Sequence, residues 1–157
     1  MKRFLMPGGK GFILPATLIV LGLLLTACKG ERELLSEAGG PVEVKGVQVS
    51  VPGGTYTDVS VQELQAMLQD NDFVFVNVHI PFEGDIPETD LSIPYDEIDQ
   101  HLDQLPADKD AKIVLYCRSD RMSNIAATTL VGQGYTNVWN LDGGFNAWEN
   151  AGLPIER

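Results

Sequence analysis

The stretch Ile113–Ser123, IVLYCRSDRMS, carries an apolar run into a cysteine followed by two arginines, then leads into Ile125, Ala126 and Ala127. Four consecutive apolar positions bounded by polar ones read as a short strand buried on both faces. The residues from Ser123 to Gln133 keep an apolar face at helical spacing and meet Gly134, a helix-ending residue. A buried strand that passes through a short loop into a helix is the repeating unit of a parallel sheet.

Working outward, the same alternation recurs on both sides. Ser60 with Glu63 three residues later forms a capping-box signature, and Val61, Leu64, Met67 and Leu68 follow at helical spacing, so a helix is expected to about Gln69. Phe73–Val78 reads as a second buried strand. Asp96–Leu105 places Ile98, Leu102 and Leu105 on one face before Pro106 and predicts a helix. Asn137–Leu141 reads as a strand, and Phe145–Asn150 as a last helix ended by Gly152. Val47, Val49 and Val51 alternate with polar residues as an edge strand or arm would, until Pro52, Gly53 and Gly54 break the pattern. The fold class is therefore α/β: a central parallel sheet with helices on both faces, joined by right-handed crossovers.

The chain has 157 residues, with 11 cationic and 22 acidic side chains, and 44% of it is apolar, a composition that suits one folded domain. Residues 1–27 stand apart. Lys2, Arg3 and Lys10 precede an apolar stretch from Phe12 to Leu25 that is short for a spanning helix, which reads as an export signal. Leu25, Thr26, Ala27 and Cys28 resemble the lipobox of bacterial lipoproteins, and the resemblance implies cleavage before Cys28 and lipidation of its thiol. Residues 28–46 then form a tether rich in charge, Gly39, Gly40 and Pro41, and residues 47–157 the domain. The expected location is the cell envelope, lipid-anchored on the extracytoplasmic side of a bacterial membrane.

Without residues 1–27 the chain carries 8 cations against 22 carboxylates, a net charge of −14, which argues against a nucleic-acid partner. Thirteen carboxylates and no cation lie between Lys45 and Lys109, a pattern expected of a solvated face. If Cys28 is lipidated, Cys117 is the one thiol left, with no disulfide partner in a compartment that favours pairing.

Chemistry is expected where Cys117 lies, because ligands of open α/β sheets bind at the carboxyl ends of strands. A loop entering a helix offers backbone N–H groups without intrahelical partners and the positive end of the helix dipole. That environment, with Arg118 and Arg121, favours a nucleophilic thiolate. Only Lys109, Lys112, Arg118, Arg121 and Arg157 are cationic from Val47 onward, so two of five cations sit in this loop. In an acidic domain they mark one place that can accept an anion.

From about Tyr56 to Leu153 the chain resembles a single rhodanese domain, with CRSDRMS as its active loop and LDGGFNAW, Leu141–Trp148, as its C-terminal signature. In the second motif the glycine pair serves a tight turn and Trp148 a buried contact, so its residues are expected to be structural. The resemblance implies sulfur transfer, with a sulfane sulfur carried as a persulfide on Cys117. It implies substrate binding by the loop residues Arg118, Ser119, Asp120, Arg121, Met122 and Ser123. Arg118 and Ser119 match common family choices. Asp120 stands where glycine is frequent, Met122 where many members have a second arginine, and Asn77, Val78, His79 where Asp, Val, Arg is frequent. The acidic loop Glu83–Asp90 replaces a usual Gly, His, Ile segment. The Asp120 carboxylate is expected to oppose the arginines near the sulfur.

The implied function is an anchored extracytoplasmic sulfurtransferase that takes sulfur from thiosulfate or polysulfide and gives it to a thiol or cyanide. The alternative is a catalytically weak module of the same fold that binds or senses a partner through its loop thiol. Phosphatases of related fold need a longer loop closed by arginine, whereas Ser123 holds the sixth position after Cys117. Peroxide or disulfide exchange lacks a resolving cysteine. His79 and His101 are far apart and read as structural or surface residues, and the carboxylates of EGDIPETD lack calcium-loop spacing, so neither metal nor cofactor is expected.

Overall fold

The computed structural model describes residues 42–157. The expected export signal, Cys28 and most of the tether lie outside the described residues. The last tether residues are held by the domain: the Glu63 carboxylate accepts from the Lys45 and Gly46 N–H groups at 3.0 and 2.9 Å. The ordered fold therefore takes in Lys45 and Gly46, just before the boundary set by the valine alternation. No helix among the described residues is long and apolar enough to cross a membrane.

Six strands form one sheet: β1 (Val47–Val51), β2 (Gly54–Val59), β3 (Val74–Asn77), β4 (Leu91–Ser92), β5 (Ile113–Tyr116) and β6 (Val138–Leu141). Their order is β1-β2-β6-β5-β3-β4, with every pair parallel except the β1–β2 hairpin at one edge. The valine alternation is indeed an edge strand. The Pro52-Gly53 break in the pattern is a hairpin turn with Gly53 at φ +95°, and β2 begins at Gly54. β2 and the two-residue β4 were not expected, because Thr55, Thr57, Asp58 and Ser92 blur the apolar period.

Three helices, α1 (Val61–Asp70), α2 (Arg121–Gly132) and α3 (Gly144–Asn150), pack on the sheet. Ser60 caps α1 as its spacing predicts, with the Glu63 side chain reaching back to the cap N–H. β5 shows why the helices divide between two faces. Successive side chains of a strand point to opposite sides, so Ile113 and Leu115 join Ala126, Ala127 and Leu130 of α2 in one core. Val114 and Tyr116 join Leu64 and Met67 of α1 and Phe145 and Trp148 of α3 in the other. Cys117 continues the alternation onto the α2 side.

The helix expected over Asp96–Leu105 is absent. Ile98–Gln100 makes one 3-10 turn, and Gln104 and Leu105 donate to carbonyls three residues back in further tight turns. Ile98 and Leu105 are still buried, so the apolar spacing located the correct face. Three aspartates, poor helix formers, and the bracketing Pro94 and Pro106 leave too few residues to propagate an α-helix.

Candidate active site

Cys117 follows the last residue of β5 at the carboxyl edge of the sheet and is 2% exposed. From it the chain crosses Arg118, Ser119 and Asp120 before α2 begins at Arg121. Arg121 N–H donates to the Ser119 carbonyl at 3.1 Å, and Asp120 between them sits at φ 78°, ψ −42°. This is a γ-turn in a conformation that favours glycine.

The carboxylate of Asp120 is engaged by backbone. Its Oδ1 accepts the Gly143 N–H at 2.6 Å, so the side chain ties the loop to the turn before α3. Burial raises the Asp120 carboxyl above its ordinary range, with the Gly143 bond opposing and Asp142 reinforcing.

The rest of the loop is held by main-chain bonds from α3. Phe145 N–H donates to the Cys117 carbonyl at 3.0 Å, and Asn146 N–H to the Arg118 carbonyl at 3.1 Å. Gly144 makes this approach possible, since a Cβ there would lie 2.2 Å from the Cys117 oxygen. The glycine pair of LDGGFNAW is thus the seat of the cysteine loop. On the inner side, Ser123 Oγ lies 3.5 Å from Cys117 Sγ and 3.0 Å from the Asp120 carbonyl, within donating distance of both. The N–H groups of Arg118, Ser119, Asp120, Met122 and Ser123 meet no hydrogen-bond acceptor among the described residues. A loop of free N–H groups running into a helix N-terminus suits an anion.

The remaining loop side chains diverge. Met122 packs against the α2-side core, while Ser119 and Arg121 are exposed. Arg121 has no ion pair among the described residues, but Arg118 does: its Nη1 lies 2.9 Å from Glu83 Oε1. The same carboxylate oxygen is 3.7 Å from His79 Nε2. The His79 ring is buried edge-on against Phe145, and neither nitrogen has a hydrogen-bond partner. Sequence reasoning missed Glu83 and placed His79 outside the site, because their proximity to Arg118 arises from sheet order rather than spacing.

The acidic loop that carries Glu83 is more than a solvated segment. Asn77 Nδ2 donates to the Gly84 carbonyl and to Asp85 Oδ1, at 3.0 and 2.9 Å. The Tyr116 hydroxyl accepts from Ile86 N–H at 3.0 Å and lies 3.1 Å from Asp85 Oδ1. Burial raises the Tyr116 phenol well above its usual range, so it stays protonated and able to donate. No group of three or more His, Cys, Asp or Glu side chains among the described residues could hold a metal ion.

The family description "Rhodanese-like domain" matches residues 60–151. A sulfurtransferase of Allochromatium vinosum is 37% identical over 102 residues, which cover 62% of this chain and 92% of that protein. A tRNA uridine(34) hydroxylase of Erwinia tasmaniensis is 33% identical over 103 residues, covering 59% of this chain but only 29% of that longer protein. In fold, the chain is similar to a rhodanese-related protein of Thermoplasma volcanium at TM-score 0.53 and 24% identity, over 62% of this chain and 95% of that one.

Proposed function

Because the chain belongs to the rhodanese-like family, we propose that it is a sulfurtransferase whose Cys117 carries sulfane sulfur as a persulfide, anchored outside the cytoplasm through lipid on Cys28. The observation that carries the catalytic part is the placement of Cys117 at the base of a loop in which the N–H groups of Arg118, Ser119, Asp120, Met122 and Ser123 lack acceptors among the described residues. The Cys117 thiolate attacks the outer sulfur of a donor such as thiosulfate, the new S–S bond forms, and the donor's S–S bond breaks to release sulfite. The loop N–H groups hold the donor anion during attack and the persulfide afterwards. An acceptor, a thiol or cyanide, then takes the outer sulfur and returns the thiolate. Ser123 Oγ, beside the sulfur, can donate to it while it is anionic.

The signal at Leu25–Cys28 supports the anchoring. One experiment tests both parts: mass spectrometry of the full chain purified from membranes, before and after thiosulfate or polysulfide. Expected are a lipid on Cys28 and the mass of one added sulfur on the Cys117 peptide, absent in Cys117→Ala. Failure of both donors, and of an organic persulfide, to load Cys117 removes the transfer reading in favour of a partner-binding module, and an unmodified Cys28 removes the anchor.

A further inference from the structure

The two cations of the loop are not equivalent. Arg121 is exposed and free of ion pairs among the described residues, whereas the Arg118 guanidinium already holds a carboxylate, Glu83 Oε1 at 2.9 Å. Glu83 is not a drifting surface acid. The next residue, Gly84, is buried at φ +130°, in a space where a Cβ would lie 2.7 Å from the Glu156 carbonyl. Asp85 exchanges backbone hydrogen bonds with Glu156, both at 2.8 Å, and accepts from Asn77. The backbone on the far side of Glu83 is thereby fixed, and its carboxylate is delivered to the rim of the Cys117 loop between Arg118 and His79.

An exposed pair of this kind adds little to stability, but its charge is permanent. With Glu83 on Arg118, the loop keeps one guanidinium without an ion pair among the described residues, Arg121, and also carries the carboxylate of Asp120. A dianion such as thiosulfate must displace Glu83 or approach past it. An organic persulfide, even when ionised, brings one negative charge where thiosulfate brings two, and Glu83 repels it less.

We propose that Glu83 is a specificity-determining residue of the Cys117 site, which by occupying Arg118 disfavours dianionic donors and favours organic persulfides. This rests on the sulfurtransferase reading above. With an organic persulfide, Cys117–S⁻ attacks the outer sulfur of R–S–SH. The Cys117 sulfur–sulfur bond forms, the R–S to SH bond breaks, and the thiolate R–S⁻ leaves, so that Cys117–S–SH remains and charge balances.

The test separates charge selection from sulfur transfer. Iodoacetate and iodoacetamide are close in size and differ in charge, so the ratio of their alkylation rates at Cys117 reports the field at the sulfur whether or not sulfur is transferred. On the full chain, Glu83→Gln raises the iodoacetate-to-iodoacetamide ratio about fivefold at low salt, and Arg118→Gln, which leaves Glu83 unopposed, lowers it. The thiosulfate-to-cysteamine-persulfide ratio of kcat/KM moves in the same directions. An alkylation ratio that stays level in both variants overturns the selector role. A ratio that moves as stated in a protein whose Cys117 loads from no donor supports the selection by charge and overturns the sulfurtransferase reading instead.

Discussion

Two loops leave the carboxyl ends of the neighbouring strands β3 and β5, and opposite means hold them. The loop that carries Glu83 is fastened by side chains, Asn77 and Tyr116 meeting Asp85 and the Ile86 N–H. The Cys117 loop is fastened mostly by main chain, with α3 N–H groups on the Cys117 and Arg118 carbonyls. Main-chain fastening leaves the side chains of Arg118, Ser119 and Arg121 without any part in holding the loop to α3, while Asp120 adds one side-chain tie to the Gly143 N–H. Side-chain fastening leaves little freedom, since each partner removed strands another buried polar group.

The strongest way to break the main-chain fastening is Gly144→Ala. The new Cβ would lie 2.2 Å from the Cys117 oxygen and 2.7 Å from the Arg118 carbonyl carbon, backbone atoms that cannot swing aside, at a φ of +56°. The expected loss is about 3 kcal/mol in urea unfolding, with Cys117 alkylation by iodoacetamide changed severalfold as the loop lifts. Unaltered alkylation would show that α3 does not seat the loop.

Tyr116→Phe attacks the other fastening. It leaves the Ile86 N–H and Asp85 without the hydroxyl, for an expected loss of about 1–3 kcal/mol. Limited proteolysis between Glu83 and Asp90 should accelerate while iodoacetamide alkylation of Cys117 holds its rate. If both loops loosen together, the two fastenings are one cooperative unit and the contrast drawn between them fails.

The contrast also explains what the sequence could and could not disclose. Strand β5, the cysteine loop and α2 were legible because a buried run, a loop and a helical face are contiguous, and period alone distinguishes them. The α1 cap at Ser60 was legible because its partner Glu63 is one turn away. The 3-10 turn at Ile98–Gln100 was misread because burial on one face satisfies either helix type. Glu83 on Arg118 joins residues 35 positions apart through the β3–β5 pairing, and no local pattern carries it. Gly144 was recognisable as a turn residue, but not as the place where α3 meets the Cys117 backbone.

The smallest effects come from acid titration, and they have opposite signs at Glu63 and Asp120, two carboxylates that hold backbone N–H groups. Glu63 accepts from Gly46, Ser60 and Lys45, and these bonds lower its carboxyl from 4.5 to about 2. Its contribution is present above pH 4.5 and is lost as pH falls through about 2. Asp120 holds only Gly143 N–H, and burial raises its carboxyl above 3.8. The folded state then binds the proton more tightly than the unfolded chain, so the contribution of Asp120 is present below pH 3.8 and is lost as pH rises through the raised value. Asp120→Asn keeps an oxygen for Gly143 and removes the charge. Urea midpoints should therefore rise relative to the parent only above this window, by well under about 1 kcal/mol because the group is partly solvated. Glu63→Gln should lower them at neutral pH and converge with the parent near pH 2. A parent and an Asp120→Asn variant that keep the same separation from about pH 3 to about pH 7 would mean that the Asp120 carboxylate titrates as it does in the unfolded chain, and that its bond to Gly143 offsets the cost of its burial.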